Sequence, residues 1–180
     1  MVKLLPTNAL YEQIIQYKKK DLDIAALIEN INIKGMDLSD AIISYLDVSD
    51  QDIQETNFAN SIIGTKDNVV NFNRAIINGC CFAGTTFPGI VWLRRAYARN
   101  CNFKRMFAPY VDYRYTDFRG SSFCYCTWTI GTDKGLGAYF DDNFFRELSF
   151  YWGTKVISNE LYNNLLEIKQ KYEEIIKNKN

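Results

Sequence analysis

Five cysteines, one glycine-rich run and a cluster of arginines beside aromatic residues are the side chains here that could do chemistry, and no histidine accompanies them. Without an imidazole the chain lacks the commonest general base and metal ligand. Zinc needs four ligands converging from Cys, His or carboxylate, and Cys80, Cys81, Cys101, Cys124 and Cys126 contain no Cys-x-x-Cys pair. The run Gly131-Thr132-Asp133-Lys134-Gly135-Leu136-Gly137 has the glycines of a phosphate loop but neither the Walker spacing nor its Gly-Lys-Ser/Thr ending, and it reads as a turn. No nucleophile with a base, no metal cluster and no cofactor loop emerges, so the expectation is a non-catalytic protein with no cofactor and no metal.

Binding chemistry is left. Between Asn71 and Gly120 the bases Arg74, Arg94, Arg95, Arg99, Lys104, Arg105, Arg114 and Arg119 face only Asp112 and Asp117. Between Gly35 and Val70 the acids Asp37, Asp40, Asp47, Asp50, Asp52, Glu55 and Asp67 face only Lys66. Charge therefore separates along the chain, although Lys plus Arg and Asp plus Glu balance at 21 each. Trp, Tyr and Arg anchor interfaces, because they bury large areas at small entropic cost and offer fixed hydrogen-bond forks. Trp92, Arg94, Arg95, Tyr97, Arg99, Arg114 and Arg119 are the candidate partner-binding residues. Two other readings stay open: these side chains stack on one another as cation–π pairs, or a C-terminal segment folds over them.

What positions these residues is a repeat. From Ile33 an apolar residue recurs at every fifth position, through Leu38, Ile43, Val48, Ile53, Phe58 and Ile63, whereas a helix would place partners at three and four. The residue two before each is often small and the one directly before is often Asp or Asn, as in Met36-Asp37-Leu38, Leu46-Asp47-Val48 and Thr56-Asn57-Phe58. About four residues enter at 64–68, the pattern resumes at Phe72, Ile77, Phe82 and Phe87, and one further residue enters at Pro88-Gly89. It then continues to Cys126-Thr127-Trp128, with Met106-Phe107-Ala108 as the irregular unit.

In this pattern the chain resembles the pentapeptide-repeat proteins from about Ile33 to Trp128. The resemblance implies an all-β solenoid, a right-handed quadrilateral β-helix with four repeats per coil. Wrapped that way, Leu38, Phe58, Phe82, Phe103 and Phe123 stack on one face, and Val70, Val91 and Val111 align on another. Arg74, Arg94, Arg95 and Arg114 share one face and Arg99 and Arg119 the next, while Trp92 and Tyr97 take outward positions where the family usually has Asp or Asn. Cys80 and Cys101 fall inward on one face in successive coils and Cys126 inward on another, which suits thiols as small apolar fillers; Cys124 points outward. Ile42, Ile62 and Phe107 stack at an outward, normally polar position, a stripe suited to self-association or to a docked helix.

A solenoid needs its ends covered. Residues 1–31 are expected to form an N-terminal helical cap, with Thr7 and Asn8 starting a helix through about Lys20 that carries Leu10, Ile14 and Tyr17 on one face, and a second short helix over Asp21 to Ile31. The β-helix is expected over 32–138. Residues 139–180 are expected to form an aromatic-rich plug, dense between Tyr139 and Trp152, and an amphipathic helix capped by Ser158 with the stripe Leu161, Leu165, Ile168, Tyr172, Ile175 and Ile176.

With 47% apolar and 23% charged residues the composition is that of a soluble globular protein. No run nears the roughly 18 apolar residues that span a bilayer, the basic residues of Met1 to Lys20 follow the apolar ones, and the cysteine count is odd, so a cytoplasmic protein with no membrane partner is expected. The functional expectation is a non-catalytic protein-interaction scaffold whose partner is another protein or itself, with acidic and basic coils of two copies pairing in the second case. The resemblance also implies a bacterial alternative, protection or modulation of DNA gyrase by mimicry of duplex DNA, which relies on a long acidic surface; here the basic middle interrupts it. Direct nucleic-acid binding through the basic-aromatic edge is a third reading, and neutral net charge weighs against it.

Overall fold

The computed structural model describes residues 4–128, and within them the five-residue period becomes a recurring turn. The carbonyl of most inward apolar centres accepts from the amide three residues on: Phe72 from Ala75 (3.0 Å), Leu93 from Ala96 (3.1 Å), Phe103 from Met106 (3.1 Å). The third residue of each turn, Arg74, Arg95 or Arg105, has φ of 58°, 58° or 57°. Positive φ at the second central residue is the mark of a type II turn. The outward Asp or Asn serves the same corner, because its side chain accepts the amide two residues ahead, as Asp37 does from Ser39 (3.0 Å), Asn71 from Asn73 (3.1 Å) and Asn102 from Lys104 (3.1 Å). That Asx geometry is why these two residue types recur before each apolar centre.

Between corners only two or three residues remain extended, so the strands are short. They are β1 (Ile42–Ile43), β2 (Ile62–Ile63), β3 (Val69–Asn71), β4 (Ile90–Trp92), β5 (Phe107–Ala108), β6 (Tyr110–Asp112) and β7 (Thr127–Trp128). Strand content is low, but the pairing is parallel throughout the described strands: β1 pairs with β2, β3 with β4, β4 with β6 and β5 with β7. Isolated parallel bridges fill the intervals, and together they trace four columns: Asp37, Asn57, Cys81, Asn102 and Ser122; Ile42, Ile62, Thr86, Phe107 and Thr127; Asp47, Asn71, Trp92 and Asp112; Asp52, Ile76, Tyr97 and Asp117. Neighbours in a column are 20 residues apart at Asp40 and Asn60, 24 at Asp47 and Asn71, 21 at Asn73 and Arg94, and 20 again at Cys101 and Ser121. The two longer returns are the inserted four residues and the inserted one. Phe107, in the unit that looked irregular, keeps its column, paired with Thr86 and Thr127.

The core is one continuous cluster. Phe58 stacks on Phe82 (centroids 5.2 Å), Phe82 on Phe103 (5.3 Å) and Phe103 on Phe123 (5.0 Å), all near parallel, and Phe72, Phe87 and Phe118 meet this ladder edge-on or tilted. Val70, Val91 and Val111 line up in register on a second face. Polar small residues between the ladders are satisfied across coils: the hydroxyl of Ser61 donates to Leu38 O (2.7 Å) and that of Thr85 to Phe58 O (2.6 Å).

At the N-terminal end α1 (Asn8–Lys18) begins at Thr7, whose hydroxyl accepts from Leu10 N (3.3 Å), and α2 (Ala25–Ile28) follows. Ile14, Ile24 and Ile28 are buried in the same cluster as the coils, and Ile24 N donates to Ile42 O (2.9 Å). Asp23 accepts from Ala25 N (2.9 Å) and from Ser44 N (3.0 Å), which ties this segment to the coil above. The turn expected at 131–137, the aromatic plug expected at 139–152 and the helix expected from Ser158 lie outside the described residues.

Candidate interaction surface

Trp92 and Tyr97 stand where the turn would ordinarily have its Asx acceptor, so the amides of Arg94 and Arg99 need another partner. The preceding coil supplies it: Asn73 Oδ1 accepts from Arg94 N (3.0 Å) and Asn78 Oδ1 from Arg99 N (2.9 Å). This substitution of one coil's amide side chain for the next coil's carboxylate is what allows aromatic residues at both outward positions. It depends on which residues become neighbours across coils. In the sequence its only trace is that Asn73 and Asn78 are themselves five apart.

The coil above restores the acid. Asp112 and Asp117 occupy the same outward columns as Trp92 and Tyr97, and each is held by two arginines. Arg94 Nε donates to Asp112 Oδ2 (2.6 Å), while Arg114 Nε and Nη2 reach its two oxygens (3.0 and 2.8 Å). Arg99 Nε donates to Asp117 Oδ2 (2.6 Å), while Arg119 Nε and Nη2 reach its two oxygens (2.8 and 2.6 Å). The two constellations are one motif displaced by five residues. The doubled Asp-x-Arg in Val111-Asp112-Tyr113-Arg114 and Thr116-Asp117-Phe118-Arg119 shows it in the sequence.

Both carboxylates are buried, which makes their charge costly unless neutralised. Burial pushes the Asp112 carboxyl up, but hydrogen bonds from Arg114 and Arg94 outweigh it and hold the group down at about 2. For Asp117 the same burial is outweighed by Arg119 and Arg99, again down to about 2. The arginine side chains remain in water: 43% of Arg94, 46% of Arg99 and 52% of Arg119 is exposed.

Of the residues singled out from sequence, the geometry brings Trp92, Arg94, Arg95 and Tyr97 onto one stretch of one coil, with Arg114 and Arg119 in the next coil. The cation–π reading holds in part, since the Arg94 guanidinium lies 5.6 Å from the Trp92 ring centroid and that of Arg95 lies 5.9 Å from Tyr115. Tyr115 was not singled out from sequence, yet it is exposed at a positive-φ corner beside Arg95; Tyr97, also exposed, lies in an extended column between Ile76 and Asp117. Arg74 is turned away from the set to pair with Asp50, and Lys34 pairs with Asp52 (2.6 Å). In the apolar stripe, Ile42, Ile62 and Phe107 share a column with Thr86 between the last two; Ile62 and Phe107 are exposed and Ile42 is half-buried.

The cysteines take filling roles. Cys80 and Cys101 are buried, and their thiols point at Ile53 O (3.1 Å) and Ile77 O (3.0 Å). Burial pushes the Cys80 thiol up to about 12 and that of Cys101 up as well, the opposite of an activated nucleophile. Cys124 and Cys126 are half-buried. Among the described residues no three of His, Cys, Asp and Glu come together as metal ligands, and no helix is long and apolar enough to cross a membrane.

The class this geometry defines is one of stacked five-residue repeats bridged in parallel, with a paired arginine motif at two positions five residues apart. No family profile and no curated protein matches the chain by sequence. The solved structures similar to it are pentapeptide-repeat proteins. One, Rfr23 from the cyanobacterium Cyanothece 51142, has 15% identity over 56% of this chain and 63% of its own, with a TM-score of 0.26, so the chain spans about two-thirds of its length. A second, from the Arabidopsis thaliana thylakoid lumen, has 14% identity over 75% of this chain and 87% of its own, with a TM-score of 0.28. A third, QnrB1, a plasmid-mediated fluoroquinolone resistance protein, has 13% identity over 71% of this chain and 73% of its own, with a TM-score of 0.24.

Proposed function

We propose that this chain is a non-catalytic, right-handed quadrilateral β-helix that works as a protein-interaction scaffold, and that its partner seats on the edge carrying Trp92, Arg94, Arg95, Tyr97 and Arg99. The observation that carries this reading is the presence on one edge of exposed tyrosine rings and of arginines already fixed in place. Tyr97 is 51% and Tyr115 49% exposed, while Arg94 and Arg99 are anchored by buried carboxylates. Rings that offer area at little entropic cost, beside guanidiniums that need no reordering, are what interface hot spots are made of. Among the described residues the interior is filled by Phe58, Phe82, Phe103 and Phe118. The partner is a second protein or a second copy of this chain, and the cytoplasm is the compartment that suits the buried thiols of Cys80 and Cys101.

The test is capture with the tagged full chain against a Trp92→Ser, Arg95→Ser, Tyr97→Ser variant. A protein retained by the parent and lost by the variant, at an unchanged thermal midpoint, supports the edge; equal retention by both sinks it. Arg94 is left intact, because its removal would strip a partner from the buried Asp112.

A second reading, modulation of DNA gyrase through a DNA-like acidic surface, rests on the first coil, where Asp37, Asp40, Asp47, Asp50 and Asp52 all take outward or corner positions. A supercoiling assay with and without a fluoroquinolone distinguishes it. Protection or inhibition by the chain raises this reading above the scaffold, and a blank titration removes it.

A further inference from the structure

Arg94 and Arg99 are held five residues apart by the same device, a buried carboxylate one coil above. Asp112 takes the Nε of Arg94 at 2.6 Å and Asp117 the Nε of Arg99 at 2.6 Å. The side of each guanidinium turned from its carboxylate meets solvent, since 43% and 46% of the two side chains is exposed. A guanidinium has five N–H donors in a rigid fork, so a carboxylate on one edge leaves donors for an anion on another. Arg95, at its corner, and exposed Tyr97 lie between them in the chain, and the ring of Trp92 lies against Arg94. The backbone beneath is fixed by Asn73 and Asn78.

Resting on the reading of this edge as a protein interface, we propose that it recognises a short acidic segment of its partner, with one carboxylate received by Arg94 and a second by Arg99. Asp112 and Asp117 then act as positioning residues: each removes a positive charge from the site, yet fixes the fork that reads the ligand. Three observations select an acidic peptide over a nucleic acid. Each fork is already matched to a carboxylate on its inner side. The basic footprint ends along the axis where Arg74 and Lys34 are already paired with Asp50 and Asp52, so a longer polyanion finds no continuation of the patch there. The chain's net charge is zero, so no general field draws in a polyphosphate.

The sign of one substitution separates this from simple charge attraction. Asp112→Asn with Asp117→Asn removes two negative charges near the site, so an electrostatic patch would bind an acidic peptide more tightly. Positioned forks would bind it more weakly, by roughly tenfold or more, as befits loss of a charge-assisted hydrogen bond.

The experiment measures anisotropy of a labelled hexaglutamate peptide, and of a labelled oligothymidylate of equal charge, on the full chain. It is repeated on that double variant and on Arg94→Lys, Arg99→Lys, which keeps the charge, loses the fork and keeps the proposal testable if the carboxylate variant does not fold. Binding of the peptide by the parent, with a loss of roughly tenfold or more in both variants and weaker binding of the oligothymidylate, is the expected result. Unchanged or tighter peptide binding by either variant overturns it, and so does preference for the oligothymidylate. No peptide binding by the parent overturns the acidic segment while leaving the interface itself to the capture experiment, so the two readings fail separately.

Discussion

Arg94 and Asp112, 18 residues apart in sequence, meet at 2.6 Å because the repeats that carry them pair side by side in parallel. The same spacing joins Arg99 to Asp117, so two buried carboxylates link successive coils on adjacent faces. Their pKa values make this linkage sensitive to acid. Both groups are held down to about 2, below the ordinary carboxylate value, so the unfolded chain takes up protons before the folded one does. Stability from these groups is complete above about pH 4 and is lost as pH falls toward 2. Urea midpoints of the parent should drop across that window, and those of the Asp112→Asn, Asp117→Asn variant should be lower at neutral pH but flatter below pH 4. Parallel pH profiles for the two would show that the carboxylates are not what acid attacks.

The phenylalanine ladder predicts the cost of a cavity. Phe103 is buried, stacked on Phe82 and Phe123 and edge-on to Phe118 at 5.8 Å. Phe103→Ala should destabilise the chain by about 3 to 5 kcal/mol, because rings above and below cannot close a gap whose height is set by the coil spacing. Tyr110, 62% exposed, should tolerate alanine within about 0.5 kcal/mol. Chemical denaturation of both variants checks the contrast.

These two features differ in how far the sequence revealed them. The ladder was legible, because every face has the same five residues and counting alone places Phe58, Phe82, Phe103 and Phe123 above one another. The two inserts were legible for the same reason, since the period resumes after each. The strand content was less so: the repeat implies a β-helix, but turns consume two residues of every five and leave strands two or three residues long. At the candidate site the arginines and aromatics could be picked out by type. The anchoring of Arg94 by Asp112 and the loan of Asn73 to the amide of Arg94 could not, as both arise only between neighbouring coils. Tyr115 escaped notice because a positive-φ corner is a place where Gly or Asn is expected.

The inserts lean on each other, and this is also testable. Gly89, the added residue of one coil, packs where a methyl group would run into the backbone carbonyls of Thr65 and Asn68, within the four-residue insert of the coil below. Backbone cannot swing aside as a side chain can, so Gly89→Ala should cost about 1 to 3 kcal/mol. Gly35 has open space around its Cα but φ of 69°, so Gly35→Ala should cost only the left-handed penalty of about 1 to 2 kcal/mol. Thermal midpoints rank the two. A Gly89→Ala midpoint equal to that of the parent would show that the inserts move apart freely.

Arg105 offers the opposite case, a corner where glycine should improve the protein. Its φ is 57°, its side chain is exposed and it has no ion pair among the described residues, while its amide bonds Cys124 O at 2.9 Å whatever the side chain. Relief of the left-handed strain gives back about 1 to 2 kcal/mol, and the extra freedom of glycine in the unfolded chain takes away about 0.5 to 1 kcal/mol. Arg105→Gly should therefore stabilise the chain by up to about 1 kcal/mol in urea denaturation. The same change at Tyr115 forfeits the contact with Arg95 and should gain less. A loss of stability in Arg105→Gly would mean that the arginine stem covers apolar surface worth more than the strain it carries.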